Sequence, residues 1–257
     1  MRYLVSNFHA TDDENRRLIL RTMPPRPGGT LLDLGCGNGS WTREVAAHVT
    51  AGRVLGVELI EEFAQAATRA GVEVSASDLS ERLPYEDGSI DVVHSNQVIE
   101  HLPGTDGFMR EIARILAPGG YAVVSTNNLS SWHNVLSLVL GWQPTPCHVS
   151  NEAILGSPAA PNNGELSAPL QTHLRVFTGM GLAALARHHG LRVEAQRSAG
   201  YYPLPPRLAR AFARLDPRHG AFLVQREGVD RCALGSAGAG THEEPQSARG
   251  HIRDGRR

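Results

Sequence analysis

The sequence predicts an α/β fold of the Rossmann type, doubly wound around a mostly parallel sheet of seven strands. Two observations carry this prediction. From residue 30 onward, short apolar runs alternate with helical patterns, and such alternation builds a parallel sheet with helices on both faces. A glycine-rich turn also follows the first apolar run directly. The chain has 257 residues, of which 41% are hydrophobic, and is long enough to bury the core of such a domain.

The elements follow from these patterns in chain order. The predicted strands cover residues 30–35, 53–59, 72–78, 89–96, 120–127, 191–199 and 221–227. The predicted helices cover residues 12–22, 40–49, 61–70, 107–116, 131–142, 179–190 and 204–215. The first helix is expected to stop at the run PPRPGG, because proline inside a helix removes a backbone donor and clashes with the preceding turn.

Composition divides the chain into regions. Residues 1–29 are polar and arginine-rich and predict an N-terminal arm with one helix, whereas residues 30–226 predict the α/β domain. Within it, residues 128–172 hold one apolar helix candidate and a long loop rich in proline, asparagine, glycine and serine, which predicts a lid inserted after strand five. Residues 227–257 contain few apolar side chains and predict a disordered tail.

The composition also excludes several kinds of chemistry. The chain contains no lysine, so all 25 basic residues are arginine, and mechanisms that need a Schiff-base or phosphate-loop lysine are excluded. The formal net charge of −1 argues against a nucleic-acid partner. Three scattered cysteines are too few for a disulfide framework or a zinc site. No signal peptide or membrane span is predicted, so we expect a cytoplasmic protein without a membrane partner.

The strongest signal is the segment LLDLGCGNGS at residues 31–40. Glycines between a strand and a helix let the backbone turn tightly and let a ligand approach main-chain atoms. The spacing is G-x-G-x-G and ends at Gly39, whereas the dinucleotide fingerprint would place its third glycine where this chain has Ser40. No Lys-Ser or Lys-Thr pair follows, as a phosphate loop would require. The segment resembles motif I of the class I S-adenosylmethionine-dependent methyltransferases.

The resemblance covers roughly residues 30–126, with weaker agreement at residues 172–178. It implies S-adenosyl-L-methionine as the cofactor. By this resemblance, Glu58 accepts hydrogen bonds from the ribose hydroxyls, Asp78 bonds the adenine amino group, and the end of the fourth strand faces the methyl donor. The cofactor-binding residues that it implies are Asp33, Gly35, Cys36, Gly37, Asn38, Gly39, Glu58, Leu59, Asp78, Leu79, Asn96 and Gln97.

Methyl transfer from a sulfonium is an in-line displacement, and holding the nucleophile about 3 Å from the methyl carbon supplies most of the catalysis. A hydroxyl nucleophile must also lose a proton. His101, which follows Glu100 just past the fourth strand, is a candidate general base, and His173 beside the predicted lid is the third candidate catalytic residue. The alternative for the Glu100–His101 pair is that it stabilises its loop, and for His173 that it is an ordinary surface histidine.

A metal site is a further alternative. Glu100, His101 and His173 resemble ligand positions in ubiquinone-type O-methyltransferases and small-RNA 3′-end methyltransferases, which place Glu-x-x-Glu-His ahead of a later histidine. This chain has Gln97 where the first carboxylate of that pattern should stand. An amide is a weaker ligand for a hard cation than a carboxylate, so we expect no metal.

The sequence therefore predicts methyl transfer to a small-molecule acceptor, with oxygen preferred over nitrogen or carbon as the nucleophile. Two alternatives stay open: methylation of an RNA end or a protein side chain, and a cofactor-binding partner subunit without catalytic activity. The sequence does not indicate the oligomeric state.

Overall fold

The computed structural model describes residues 2–158, 172–201, 204 and 206–229. Its strands are β1 (Thr30–Leu34), β2 (Arg53–Val57), β3 (Glu73–Ser75), β4 (Ile90–Asn96), β5 (Leu116–Asn127), β6 (Leu191–Ala199) and β7 (Phe222–Val229). Its helices are α1 (Arg2–Thr22), α2 (Ser40–Val49), α3 (Glu61–Arg69), α4 (Thr105–Ile115), α5 (Trp132–Val139), α6 (Gly179–His188) and α7 (Pro206–Leu215), and a short 3-10 helix, Ile99–His101, follows β4.

All seven strands belong to one sheet in the order β3-β2-β1-β4-β5-β7-β6. The strands from β3 to β5 are parallel, whereas β7 runs antiparallel to both of its neighbours. The prediction of a doubly wound, mostly parallel sheet of seven strands is confirmed. The strand order reverses between β1 and β4, and the carboxyl ends of strands at such a point form the ligand crevice of open α/β sheets.

Helices cover the sheet on both faces, as the near-continuous apolar runs of the strands require. On one face, Phe108 and Ile112 of α4 and Leu182 of α6 are fully or almost fully buried in a cluster that includes Leu32 of β1. The opposite face is buried by α1, α2 and α3, whose contributions include Ile19, Val45 and Ala67. The N-terminal arm is therefore part of the core, because α1 packs directly on the sheet.

Several element ends differ from the predicted ones. The first helix begins at Arg2 rather than at residue 12, which is consistent with residues 2–11 containing neither proline nor glycine. The third strand covers only Glu73–Ser75 of the predicted 72–78, because it is an edge strand that pairs with β2 alone. The fifth strand begins at Leu116, where the preceding helix was expected to end.

The predicted lid, residues 128–172, falls partly on residues 159–171, which lie outside the described residues. Its described part contains α5, which is anchored at its start. The Nδ2 of Asn128 donates to the carbonyl oxygens of Arg218 (2.8 Å) and Gly220 (2.7 Å), and Trp132 Nε1 donates to Asp216 (2.7 Å). The other side of α5 is exposed at Leu136 and at neighbouring apolar residues.

The predicted tail, residues 227–257, begins inside β7, which continues to Val229. The rest of it, residues 230–257, lies outside the described residues. None of the helices among the described residues is both long and apolar enough to cross a lipid bilayer.

Candidate active site

The glycine turn joins β1 to α2 at the carboxyl edge of the sheet. The N–H groups of Gly35 and Cys36 both donate to the carbonyl of Val57 at the end of β2, at 2.9 and 3.1 Å. Gly35, Gly37 and Gly39 all have positive φ, at 81°, 54° and 78°, a conformation that side chains with a Cβ adopt only at a cost. A Cβ on Gly37 would meet no atom within 4 Å, so this stretch of backbone is open to a ligand.

Glu58, the residue after β2, holds this turn in place. One of its carboxylate oxygens accepts the N–H of Gly37 at 2.9 Å, and the other accepts the N–H of Ile60, also at 2.9 Å. Each oxygen keeps a further lone pair, and the side chain is only partly buried. Glu58 can therefore accept hydrogen bonds from a ligand while it fixes the shape of the turn.

Asp33 lies beneath the turn, with its side chain buried. Its carboxylate accepts a hydrogen bond from Thr42 of α2 and bonds Nδ1 of His94 at 2.6 Å. The other ring nitrogen of His94 accepts from Trp41 Nε1 at 3.3 Å, which places the ring proton on Nδ1. Both oxygens of Asp33 are thus engaged inside the protein, where they tie α2 and β4 to the glycine turn.

The other predicted cofactor residues of this edge differ in exposure. Cys36 is buried, and burial, with the nearby charge of Asp33, raises the pKa of its thiol to about 12, so it stays neutral. Asn38 accepts the N–H of Ser40 at 3.1 Å. Asp78 is exposed and accepts the N–H of Ser80 at 2.7 Å. Leu59 is 69% exposed, whereas Leu79 is buried.

Asn96 and Gln97 follow at the end of β4. The amide oxygen of Asn96 accepts a hydrogen bond from Asn15 Nδ2 of α1 at 3.0 Å. The N–H of Gln97 donates to the carbonyl of Ser125 at 2.8 Å, and its side-chain oxygen accepts from Asn127 Nδ2 at 3.0 Å. Both amide side chains are therefore held by neighbouring elements, α1 and β5.

Glu100 is completely buried one turn further on. Thr126 and Asn127 of β5 donate to its two oxygens at 2.8 and 3.2 Å. Burial raises the pKa of its carboxyl to about 7, against the opposing effect of those hydrogen bonds. Its carbonyl oxygen accepts the N–H of Leu174 at 2.8 Å, so Glu100 also connects this turn to the chain that enters α6.

His101 and His173 meet beside Glu100, with ring centroids 4.9 Å apart. The Nδ1 of His101 donates to the carbonyl of Thr172 at 3.1 Å, and the Nδ1 of His173 donates to the carbonyl of Pro146 at 3.0 Å. In both rings Nε2 therefore carries a lone pair in the neutral form. Burial lowers the pKa of His101 and lowers that of His173 to about 4, so both rings are neutral at physiological pH.

A third histidine completes this cluster. The ring of His148 stacks on that of His173 at 4.6 Å with an interplanar angle of 6°, and its Nδ1 accepts the backbone N–H of His173 at 3.0 Å. His148 follows α5, and His173 precedes α6. The stack therefore connects the first described part of the predicted lid to the residue that directly follows the lid, next to Glu100.

The three residues of the metal alternative are brought together. Glu100, His101 and His173 each offer one potential ligand atom, and these atoms lie within 4.8 Å of one another. Gln97, at the position of the missing carboxylate, turns its only ligand atom toward Asn127 instead. The described cluster thus supplies three donor groups, with no fourth from Gln97.

Comparison with known proteins assigns the chain to a family. The model of a family described as a methyltransferase domain matches residues 8–196 of the chain. A probable S-adenosylmethionine-dependent methyltransferase of Mycolicibacterium smegmatis is 37% identical over 180 residues, which are 66% of this chain and 63% of the relative. The chain belongs to the class I S-adenosylmethionine-dependent methyltransferase superfamily.

Two further proteins show the breadth of the superfamily to which the chain belongs. The 27-O-demethylrifamycin SV methyltransferase of Amycolatopsis mediterranei is 34% identical over 110 residues, 38% of each chain. A chain in the complex of the Haloferax volcanii Trm112 methyltransferase activator with a putative methyltransferase has a TM-score of 0.60 at 21% identity. The aligned region covers 88% of this chain and 93% of the other chain. At 21% identity, this likeness supports the fold alone. The chain thus matches only part of the length of these two sequence relatives, 63% of one and 38% of the other.

The cofactor of this superfamily is S-adenosyl-L-methionine, and the residues present fit it. The open backbone at Gly37 and the carboxylate of Glu58 lie side by side. A surface groove of about 710 Å³ begins at Glu58 and Leu59 and runs along α3. These features offer an approach to main-chain atoms, acceptors for hydroxyl groups and room for a flat ring.

Sequence reasoning missed two contacts that reach this site from distant parts of the chain. Asn15 is 81 positions away from Asn96, and His173, which the sequence did name, stacks on His148 25 positions before it. Such contacts depend on how α1 and the lid pack, for which a single sequence holds no periodic signal. Asn127 is the exception, because it ends a predicted strand next to the one that leads to Gln97.

Proposed function

We propose that this protein transfers the methyl group of S-adenosyl-L-methionine to an oxygen atom of a small-molecule acceptor by in-line displacement, with His101 as the general base. The observation that carries the proposal is the state of His101. Its Nδ1 is committed to the carbonyl of Thr172, and burial keeps the ring neutral by lowering its pKa. The Nε2 lone pair is therefore ready to accept a proton.

The chemistry balances with these groups. When bound, the cofactor supplies a methyl group on a positively charged sulfur, and its C–S electron pair stays on sulfur as the new O–C bond forms. The acceptor hydroxyl loses its proton to Nε2 of His101, which becomes an imidazolium. Glu100, buried beside that ring, stabilises this positive charge when its carboxyl is ionised.

The remaining residues bind and orient. Glu58 and the open backbone at Gly37 hold the nucleoside part of the cofactor, and Asp33 and Asn38 keep the glycine turn and the start of α2 in shape. The adenine part of the cofactor is bordered by Asp78, Leu59 and Leu79.

The acceptor side is formed by other residues. Asn96 and Gln97 lie at the end of β4, between the methyl donor and the acceptor. His173 and His148 close the acceptor side from the predicted lid and exclude water from it.

A small-molecule acceptor is favoured by two observations. The formal net charge of −1 gives little attraction for an RNA backbone. The relative from Amycolatopsis mediterranei is named as acting on 27-O-demethylrifamycin SV, and its name supports an oxygen atom of a small molecule as the acceptor here.

The decisive experiment has two steps. Calorimetry should first show that the wild-type protein binds S-adenosyl-L-methionine. The protein is then incubated with methyl-labelled cofactor and metabolite pools, and labelled products are identified by mass spectrometry. Labelled methyl ethers support the proposal. Binding without any transfer would instead support a non-catalytic partner subunit, and label on RNA or protein would support the other alternative.

Metal-assisted transfer is a second candidate, favoured by the grouping of Glu100, His101 and His173 within 4.8 Å. A divalent ion there would acidify a bound hydroxyl and replace the general base. Activity should then disappear in excess chelator and return when Mg²⁺, Mn²⁺ or Zn²⁺ is added. Full activity in excess chelator supports His101 as the base.

A further inference from the structure

Gln97 combines two unfavourable features at the carboxyl end of β4. Its φ is 57°, in the left-handed region that residues with a Cβ rarely adopt. Its side-chain Nε2 is also buried and has no hydrogen-bond partner among the residues that the structure describes. Strained backbone and unpaired buried donors both cost free energy, and they concentrate at sites where a ligand makes use of them.

The orientation of this amide follows from its neighbours. Nδ2 of Asn127 donates both to Glu100 and to Oε1 of Gln97, at 3.2 and 3.0 Å. When Glu100 is ionised it only accepts hydrogen bonds, so Asn127 then turns its nitrogen toward Glu100. Gln97 presents its oxygen to the same nitrogen, and its own Nε2 is directed away from Asn127.

Gln97 also lies where donor and acceptor must meet. Val98, the next residue, contacts the glycine turn so closely that a Cβ on Gly35 would lie 2.5 Å from Val98 Cγ2. The carbonyl of Val98 accepts the N–H of His101 at 2.9 Å. One short turn thus carries Gln97, contacts the cofactor turn on one side and positions the proposed base on the other.

We infer that Nε2 of Gln97 donates a hydrogen bond to the nucleophilic oxygen of the acceptor, and that this contact selects hydroxyl compounds over amines. This inference rests on the proposed methyl transfer and names the chemical class of its acceptor. An oxygen nucleophile has two lone pairs, so one can attack the methyl carbon while the other accepts the N–H of Gln97. A neutral amine has a single lone pair, which cannot do both.

The same contact helps the reaction itself. As the hydroxyl proton moves to His101, negative charge builds on the oxygen, and a hydrogen bond from an N–H donor strengthens with that charge. Once the O–C bond has formed, the ether oxygen is a weaker acceptor. The contact from Gln97 therefore favours the transition state over the product.

The donor could serve a ligand oxygen from either of two sources, the acceptor hydroxyl or the carboxylate of the cofactor. Both groups accept hydrogen bonds. A Gln97 variant distinguishes them, because each contact affects a different measured quantity. Loss of a contact to the acceptor lowers kcat/KM for the acceptor and leaves the cofactor affinity unchanged. Loss of a contact to the cofactor carboxylate weakens cofactor binding.

The test compares the wild-type protein with Gln97→Met, which keeps the length of the side chain but removes the donor, together with the oxygen that accepts from Asn127. Transfer of labelled methyl is measured for a panel of phenols and for the anilines that carry NH₂ in place of OH. We expect the wild type to prefer phenols by tenfold or more. In Gln97→Met, kcat/KM for phenols should fall by about 10- to 100-fold, as for loss of a buried hydrogen bond to a partly charged oxygen, and the preference should disappear.

Gln196→Met serves as the matched control, because Nε2 of Gln196 is fully engaged with Gly179 and Gln225, at 2.8 and 2.6 Å. That variant should lose thermal stability and keep the phenol preference. Gln97→Met should lose less thermal stability than Gln196→Met, since it gives up only the bond from Asn127 to its oxygen, and its nitrogen makes no bond in the described structure. The two variants thus separate a role in recognition from a role in folding.

Three outcomes would overturn the inference. The first is no preference of the wild type for phenols over anilines, and the second is a preference that survives in Gln97→Met. The third is a tenfold loss of cofactor affinity in that variant by calorimetry, which would assign the contact to the cofactor carboxylate. Label transferred to acceptors without any phenol preference refutes only the role of Gln97, whereas transfer to no acceptor refutes the proposed function as well.

Discussion

At the scale of single residues, His101 is the group on which proton removal depends in the proposed mechanism. We expect His101→Ala to lower kcat by about 10²-fold or more, because the acceptor hydroxyl then loses its proton only to water. Cofactor affinity should stay close to that of the wild type. The rate of transfer of labelled methyl gives kcat, and calorimetry gives the cofactor affinity. The exposed His188 on α6 provides the control His188→Ala, which should leave both unchanged. An unchanged rate in His101→Ala would show that His101 is not the general base and that its role is structural.

The pH dependence of the reaction follows from the same ring. Burial lowers the pKa of His101 below its usual value of 6.5, so the base is protonated, and inactive, only in more acidic solution. We expect kcat/KM to fall as the pH drops through that lowered pKa and to be level with respect to this group above 6.5. A rate profile between pH 4.5 and 8.5 checks this. An acid limb centred above pH 7 would contradict a role for the neutral ring.

In the proposed cofactor site, Glu58 acts in two ways, through its own oxygens and through the N–H groups that they accept. Glu58→Ala removes the acceptor from Gly37 and Ile60, so the turn loses its fixed shape and the nucleoside loses its partner. We expect the Kd for S-adenosyl-L-methionine to rise by tenfold or more, as for loss of hydrogen bonds to a charged group. Calorimetry is the measurement, with Glu62→Ala on the exposed surface of α3 as the control. An equal Kd for S-adenosyl-L-methionine in both variants would show that Glu58 does not take part in cofactor binding.

These residues also show what a single sequence can reveal. Glu58 and the glycine spacing were predictable, because a strand end and the turn beside it are fixed by local geometry. The prediction that Gln97 faces the methyl donor named its position but could not name its unpaired nitrogen. That feature depends on Asn127 and Glu100, whose side chains orient each other only after β4 and β5 have paired.

At the scale of elements, α1 is more than the N-terminal arm that the sequence predicts. It contributes Ile19 to the core and reaches the end of β4 through Asn15, which is completely buried. Asn15 Nδ2 donates to Asn96 at 3.0 Å, and its oxygen accepts from Ser125 at 3.1 Å. The sequence predicted a helix over residues 12–22 that the PPRPGG run stops, but nothing in it indicated that a polar side chain of this helix would bridge two strands.

Asn15→Ala should therefore destabilise the fold and disturb the site together. The change removes the partners of the partly buried Asn96 amide oxygen and of the buried Ser125 hydroxyl, which costs about 1–3 kcal/mol. We expect a lower melting temperature in thermal unfolding and a weaker affinity for S-adenosyl-L-methionine, because Asn96 is then free to turn. Asp13→Ala, on the exposed side of the same helix, should change neither quantity. A stability loss with unaltered cofactor affinity would confine Asn15 to folding.

At the scale of the whole molecule, the sheet places every proposed functional group at one edge. Strand alternation fixed the class of the fold, and the reversal of strand order between β1 and β4 brings the glycine turn beside the turn that carries Gln97 and His101. The antiparallel entry of β7 between β5 and β6 was not specified by the sequence pattern, because an apolar run is compatible with either direction. That insertion buries Glu227 in the middle of the domain.

Glu227 should make the stability of the whole domain fall as the pH rises. Its side chain is completely buried, with one oxygen bonded by Gln225 and the other without a partner among the described residues. Burial raises the pKa of the folded carboxyl from 4.5 to about 7. Between these two values the unfolded chain releases the proton while the folded domain keeps it, so the free energy of unfolding declines by about 1.4 kcal/mol per pH unit.

Glu227→Gln removes this titration and keeps an oxygen for Gln225. We expect the variant to be more stable than the wild type by up to about 3 kcal/mol at pH 8. It should differ little from the wild type at pH 4.5, where the folded carboxyl is protonated and the unfolded one, with a pKa of 4.5, is still half protonated. Denaturant unfolding at several pH values between 4.5 and 8 measures the difference. Glu44→Gln on the exposed face of α2 is the control. A difference that does not grow with pH would show that Glu227 is ionised in the folded domain, and some group outside the described residues would then have to neutralise it.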